Sequence, residues 1–224
     1  MADEFLKWAT GTSGGGHYSI APGIVINNLD FLAEGRVEVR IPSHPRFSPL
    51  ARLVGAGSGS GKGFFWVPQI KDEVLVAFHQ GDLRDAYIVG GLWSTLQRTP
   101  IVDPIRPLMK RVIKTGLLPG IGHEIEFDDA LQSITIKTPL EDKVEIGPGK
   151  VEISTAAGLL SISLNLMATP PKVSIESTLG NIELSAPMGK ISLSAMQVEI
   201  NGTATAELKS EGVCTVQGSL VKIN

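Results

Sequence analysis

Four histidines and one cysteine are the residues of this sequence best suited to hold a metal ion. A zinc site needs its histidine and cysteine ligands at short, regular spacings. No two of these side chains have such a spacing, so we predict no metal site, no cofactor, and surface or turn positions for the histidines. The single cysteine excludes an intrachain disulfide, and its apolar neighbours at 213–216 predict a buried, unreactive thiol. The residues are His17, His44, His79, His123 and Cys214.

Four acidic residues close together are the candidates for acid–base catalysis, which uses paired carboxylates. Glu124 and Glu126 alternate with apolar residues, a pattern that places them on the wet face of a strand. Asp128 and Asp129 follow that strand and have the composition of a turn. We therefore predict no catalytic residues and a protein that is not an enzyme.

A glycine-rich stretch at 55–63 contains Gly61-Lys62-Gly63 and resembles a phosphate-binding loop. That loop requires Ser or Thr after the lysine and a helix behind it, whereas here a glycine and the strand-like Phe64-Phe65-Trp66 follow. The three aromatic rings have the chemistry to stack on bases, but no basic groove flanks them and the net charge is −3. We interpret the stretch 55–63 as a long, soft loop and the aromatic residues as core or subunit interface, without nucleic-acid binding.

Short strands and turns dominate the first half of the chain. Residues 1–17 end in a glycine-rich run and predict a flexible N-terminal arm. Residues 18–95 predict a compact β domain, because 35–41 alternates apolar and charged residues, 72–78 is a continuous apolar run, and 86–92 is a strand interrupted by glycines. About five short strands without a strong helix favour an OB-fold barrel.

A repeat occupies the second half, after a proline-rich joint at 96–122. Within 123–224, apolar residues recur as pairs at i and i+2, and successive pairs follow one another at short intervals. This pattern predicts short strands with one buried face, joined by tight turns. We expect three chains to intertwine into a triangular β-helix, since that arrangement buries the apolar faces and leaves no free strand edges. The predicted trimer core is Val144, Ile146, Val151, Ile153, Val173, Ile175, Ile182, Leu184, Ile191, Leu193, Val198 and Ile200.

Several segments, in order, resemble the phage baseplate assembly protein V and VgrG-type spike family. They are the run from Gly35 to Pro42, Ala51–Val54, Gly61–Pro68, Asp72–Phe78, Gly81-Asp82, Ile88–Leu92 and Gly122–Asp129. The resemblance implies an all-β protein with a trimeric OB collar followed by a β-helical needle. It implies a structural spike at the centre of a contractile injection baseplate, which caps the tube and pierces the target envelope, so that target-membrane contact occurs only on firing.

This sequence lacks some parts of the family pattern, and what it lacks predicts its partner proteins. The N-terminal arm is too short for the hub domain of VgrG-type proteins, so the resemblance implies a separate hub protein beside tube and baseplate components. The joint has no room for an inserted lysozyme domain. The family's iron-binding His-x-His apex is absent from 220–224, where the apolar pattern persists to the last residues. We therefore expect Leu220, Val221, Lys222, Ile223 and Asn224 to dock a PAAR-type tip protein.

Two other function classes remain open at this stage. One is an OB-fold nucleic-acid-binding protein, which the sequence pI of 5.8 disfavours. The other is a polysaccharide-active β-helix enzyme, which would need clustered carboxylates on one face. The acidic N-terminal residues lack the pattern of a secretory signal, so we expect synthesis in the cytoplasm and incorporation into a phage tail or injection particle.

Overall fold

The computed structural model describes residues 19–103, 105–116 and 121–223. The predicted N-terminal arm and Asn224 lie outside these residues. Three single-turn 3-10 helices occur at His79–Gly81, Arg106–Leu108 and Ala156–Gly158. The strands are β1 Ile20–Asn27, β2 Arg36–Arg40, β3 Leu50–Leu53, β4 Glu73–Phe78, β5 Ala86–Leu92, β6 Lys110–Lys114, β7 Glu124–Asp128, β8 Ser133–Lys137, β9 Lys143–Gly147, β10 Lys150–Ser154, β11 Leu160–Asn165 and β12 Lys172–Ser177.

The first five strands close into a barrel in the order β1-β2-β3-β5-β4. Alternation along β2 explains its packing, because Val37 and Val39 point into the barrel while the charged residues between and beside them point out. Along β4 the inward residues are buried and Leu75 and Ala77 are half-buried, so this strand is less covered on its outer side than its apolar sequence predicts. The core is Ala21, Val25, Val37, Val39, Ile41, Ala51, Val74, Val76, Phe78, Ala86 and Ile88.

Two details of the pairing identify this barrel as OB-like. Strands β3 and β5 pair in parallel, with Leu53 opposite Ile88, and this pairing closes a barrel whose other neighbours are antiparallel. The register between β4 and β5 shifts after Leu75, beside the Gly90-Gly91 pair, which confirms the bulge expected from these glycines. The predicted OB barrel is thus confirmed.

The remaining seven strands form an antiparallel sheet in chain order from β6 to β12. Each strand pairs with the next along the chain. Strand β6 lies inside the segment predicted as the joint. Its sequence alone is mostly basic, and its pairing with β7 depends on acidic partners that lie later in the chain. The all-β class is confirmed, whereas the triangular β-helix stays a prediction.

Residues 181–223 form a second unit, separate from the unit that ends at Gly180. None of them is assigned to a strand, although the apolar pairs continue through them. Nearly all of their side chains are exposed. Cys214 is among the exposed residues, so the predicted burial of its thiol is wrong for the single chain. The residues around it have no strand neighbour that would cover them.

Two loops of the barrel differ from their sequence expectation. The glycine-rich stretch is a sequence of tight turns held by backbone hydrogen bonds, including mutual bonds between Gly59 and Lys62, rather than a soft loop. Phe64, Phe65 and Trp66 follow it without forming a strand. All three side chains are exposed in the single chain, so they do not lie in its core.

Candidate assembly surfaces

One face of the seven-stranded sheet is apolar except at one position on each of its two edge strands. There Arg111 on β6 lies opposite Phe127, and Ser177 on β12 lies opposite Leu160. The cross-strand register places Ile134 opposite Ile146 in one row. In the neighbouring row, Ile153 lies opposite Ile162, which in turn lies opposite Ile175 on β12. Ten of the thirteen residues are more than a third exposed. We call this surface the apolar face, and it consists of Ile113, Ile125, Phe127, Ile134, Ile136, Val144, Ile146, Val151, Ile153, Ile162, Leu164, Val173 and Ile175.

The opposite face of the sheet is charged and internally paired. Nζ of Lys110 lies 2.7 Å from Oε1 of Glu126 and 3.0 Å from Oδ2 of Asp128. Lys114 and Glu124 are joined at 2.7 Å. Farther along the sheet, similar ion pairs join Lys143 to Glu145 and Lys150 to Glu152. Of the four candidate carboxylates, Glu124, Glu126 and Asp128 are therefore partners of lysines on this charged face. Asp129 pairs instead with Arg111.

Asp128 shows how tightly the charged face is organised near β6 and β7. Its side chain is only 5% exposed. Its Oδ1 accepts hydrogen bonds from the backbone N–H groups of Ala130 and Leu131. The bond from Leu131, followed by the contact with Lys110, lowers the pKa of Asp128. Bonds to Glu126 and then Asp128 raise the pKa of Lys110. Asp128 is thus the last residue of β7 and caps the turn that follows, whereas the sequence predicted that Asp128 itself lies in the turn.

The predicted core and tip residues fall into two groups. Val144, Ile146, Val151, Ile153, Val173 and Ile175 lie together on the apolar face. Ile182, Leu184, Ile191, Leu193, Val198 and Ile200 lie in the second unit and are exposed. Of the predicted tip residues, Leu220, Val221 and Ile223 are exposed apolar side chains, and Lys222 is exposed between them.

The barrel carries an exposed apolar loop between β1 and β2. Asp30 holds this loop, because its side chain accepts hydrogen bonds from the backbone N–H groups of Leu32 and Arg36. The bond from Arg36 is the main cause that lowers the pKa of Asp30. The loop presents Leu29, Phe31 and Leu32 to solvent, and Phe31 is 92% exposed. The sequence analysis missed this feature, although the run Leu29–Leu32 holds three large apolar residues inside a polar stretch.

The described residues were compared with the requirements of a metal site and of a membrane-spanning helix. No group of three or more His, Cys, Asp or Glu side chains lies close enough to hold a metal ion in that part of the chain. His17 lies outside the described residues. The ring of His79 lies beside Asp85, and the backbone N–H of His123 donates to Oγ1 of Thr115. No helix within the described ranges has the length and hydropathy needed to span a membrane.

A comparison with known protein families finds a match for the barrel. Residues 21–93 match the sequence model of the type VI secretion system/phage-baseplate injector OB domain. The barrel is therefore similar to the injector OB domain of type VI secretion systems and phage baseplates. The match covers about a third of the chain and confirms the predicted resemblance. No curated protein matches the chain. The barrel therefore indicates a structural role in a baseplate, in contact with other baseplate components of a phage tail particle.

Proposed function

We propose that this protein is the central spike of a phage tail or phage-tail-like contractile injection system. In this proposal it is a non-enzymatic homotrimer that caps the tube and pierces the target envelope. The observation that carries the proposal is the apolar face, which is open to water in the single chain. A contiguous apolar surface of this extent usually marks an interface. The OB-domain match supports the baseplate setting of the barrel.

The geometry of the sheet favours three copies. Two sheets packed face to face would cover the apolar faces but leave β6 and β12 of each copy as unpaired edges. Three sheets around one axis cover the same faces, and each edge strand then lies beside an edge of the next copy. Closure removes the free edges on which β proteins aggregate. A symmetric ring of three is therefore the arrangement that satisfies both the faces and the edges.

The second unit supports an intertwined needle. Its apolar residues keep the i, i+2 spacing of a strand, but residues 181–223 have no strand partner in their own chain. Backbone N–H and C=O groups that leave water need partners. We propose that these partners are the equivalent segments of two other copies. Unfolding of such a needle would require separation of all three chains, so it should be slow and resistant to heat and detergent.

Partners at the two ends complete the proposal. A separate hub protein would hold the barrel, together with tube and baseplate components. A PAAR-type protein would cover residues 220–224, whose exposed apolar side chains form a docking platform. Contact with a target membrane would occur only when the particle fires.

The native mass tests the trimer. We expect light scattering at micromolar concentration to return three times the 23.8 kDa mass of one chain. A well-folded species of 23.8 kDa would remove the basis for the needle, and a mass near twice that value would favour the two-sheet sandwich.

Deletion of residues 220–224 tests the tip. We expect the shortened chain to form trimers and to lose binding to the cap protein in a pull-down assay. The matched control is Lys209→Ala, an exposed change in the same unit but outside the tip. Cap binding that survives the deletion would place the docking site elsewhere.

A further inference from the structure

Asn201 and Gly202 are neighbours in the second unit that can react with each other. The backbone nitrogen of Gly202 can close a five-membered ring with the side-chain amide carbon of Asn201, so the attack is intramolecular. Gly202 has no Cβ atom that would cover this nitrogen. Asn201 is exposed, so water reaches the site. The pair thus has what an asparagine needs to cyclise onto its own backbone.

The turn that follows Asn201 requires the glycine. A Cβ atom added to Gly202 would lie 2.5 Å from the backbone oxygen of Thr205, much closer than ordinary van der Waals contact. A larger residue would therefore force the turn to move. In the same unit, the exposed Asn181 is followed by Ile182, whose branched side chain shields the backbone nitrogen. The unit therefore contains two exposed asparagines that differ in the residue behind them.

Glu199 restrains the side chain of Asn201. Nδ2 of Asn201 donates a hydrogen bond of 2.7 Å to Oε1 of Glu199. The two residues are two positions apart, a spacing that places both side chains on one side of an extended chain. The bond holds the amide that must turn toward Gly202. Negative charge develops on Oδ1 of Asn201 during the attack, and the carboxylate beside it opposes that charge. Both effects slow the cyclisation.

We propose that Asn201-Gly202 is a self-modification site, at which the chain loses ammonia at a rate that Glu199 holds down. The nitrogen of Gly202 bonds to Cγ of Asn201, and the bond from Cγ to Nδ2 breaks. Nδ2 leaves as ammonia with the proton that the Gly202 nitrogen gives up, and a succinimide ring remains. Water then opens the ring at either carbonyl to give aspartate or isoaspartate, and the ammonia takes the proton of the new carboxyl group. Water is the co-reactant, and nothing is oxidised or reduced.

The reaction changes both the charge and the backbone of the chain. Either product adds one carboxylate beside Glu199, so the formal net charge of −3 becomes −4. Isoaspartate also adds a methylene group to the main chain, which interrupts the two-residue alternation at that point. In the proposed needle, the apolar residues after Asn201 would then be out of phase with those before it. This consequence rests on the spike proposal, whereas the reaction itself does not.

Ageing of the purified full-length chain tests the inference. The protein is kept at neutral pH, and samples are digested at intervals and analysed by mass spectrometry. We expect Asn201 to gain one dalton, as a mixture of aspartate and isoaspartate, at least about tenfold faster than Asn181, which corresponds to a barrier about 1.4 kcal/mol lower. Water labelled with a heavy oxygen isotope should label the product, which marks molecules that reacted during the incubation. Asn201→Gln should remove the signal.

Glu199→Gln tests the restraint. This variant keeps the length of the side chain and an acceptor oxygen but removes the charge. We expect it to speed the reaction at Asn201 by about threefold, the effect of one exposed charge. The matched control is Glu211→Gln, which removes the same charge from another exposed position of the unit and should not change the rate.

Three results would overturn the inference. Equal rates at Asn201 and Asn181 would show that Gly202 does not promote the reaction. Aspartate without isoaspartate would indicate direct hydrolysis rather than a ring. A rate for Glu199→Gln at or below that of wild type would remove the role of Glu199. Light scattering on the same samples gives the native mass, so failure of the trimer and failure of the modification are read separately.

Discussion

Ile175 and Ser174 provide a matched test of the apolar face. The two residues are neighbours on the edge strand β12 and point to opposite sides of the sheet, with Ile175 opposite Ile162 and Ser174 opposite Ser163. Ile175→Asp places a carboxylate on the apolar face, whereas Ser174→Asp places the same group on the charged face. Ile175 is already 53% exposed in the single chain. We therefore expect both variants to change the stability of the single chain only modestly. They should differ in whether the chains form a trimer.

The magnitude follows from what assembly would bury. Covering the exposed half of an isoleucine contributes about 1 kcal/mol. Burying an unpaired carboxylate costs several kcal/mol. Each copy loses about 1 kcal/mol of apolar burial and gains a carboxylate cost taken as about 3 kcal/mol, so over three copies Ile175→Asp should weaken the trimer by about 12 kcal/mol. This is about nine orders of magnitude in the association constant.

Light scattering at micromolar concentration gives the readout. Wild type and Ser174→Asp should have three times the 23.8 kDa mass of one chain, and Ile175→Asp should have the mass of one chain. Far-ultraviolet circular dichroism should show that the barrel strands persist in all three proteins. A stable trimer of Ile175→Asp would refute the assignment of this face to the interior. Loss of the trimer by both variants would show that β12 tolerates no added charge on either side.

Three further predictions test other parts of the structure. Gly23→Ala should destabilise the barrel by about 1–3 kcal/mol in urea unfolding, because the added Cβ would overlap Cγ1 of Val39, whereas Gly90→Ala meets no atom within 4 Å and should leave the unfolding midpoint nearly unchanged. The pKa of Asp128 is lowered from its ordinary 3.8, so its contribution to stability is present above that pH and is lost as the pH falls through the lower value. Asp128→Asn should therefore flatten the decline in melting temperature below about pH 4, and an unchanged decline would exclude this carboxyl as the cause. Ile191→Asp should block assembly through the second unit, and a normal trimer yield would show that Ile191 does not face the needle interior.

The local sequence pattern was enough to predict the facing of several strands, the bulge in β5 and the OB domain. The alternation in Arg36–Arg40 fixed which side chains of β2 enter the barrel, because side chains of a strand point alternately to its two faces. The same rule placed Val144 and Ile146 on one side of β9 and Glu145 on the other. The glycines at 90 and 91 indicated the bulge in β5. The order of these segments indicated the baseplate OB domain, which the family comparison confirms over residues 21–93.

Long-range pairing decided the rest. The parallel contact of β3 with β5 joins residues far apart in the chain, and no local signal specifies it. Strand β6 has a basic sequence typical of a linker, and it becomes a strand because Lys110 and Lys114 meet acidic partners on β7. Arg36 and Arg52 are likewise adjacent only after β2 and β3 pair. Sequence periodicity tells which side of a strand is apolar, but the neighbour that covers that side depends on contacts distant in the chain or on another copy, because burial is a property of the assembled structure.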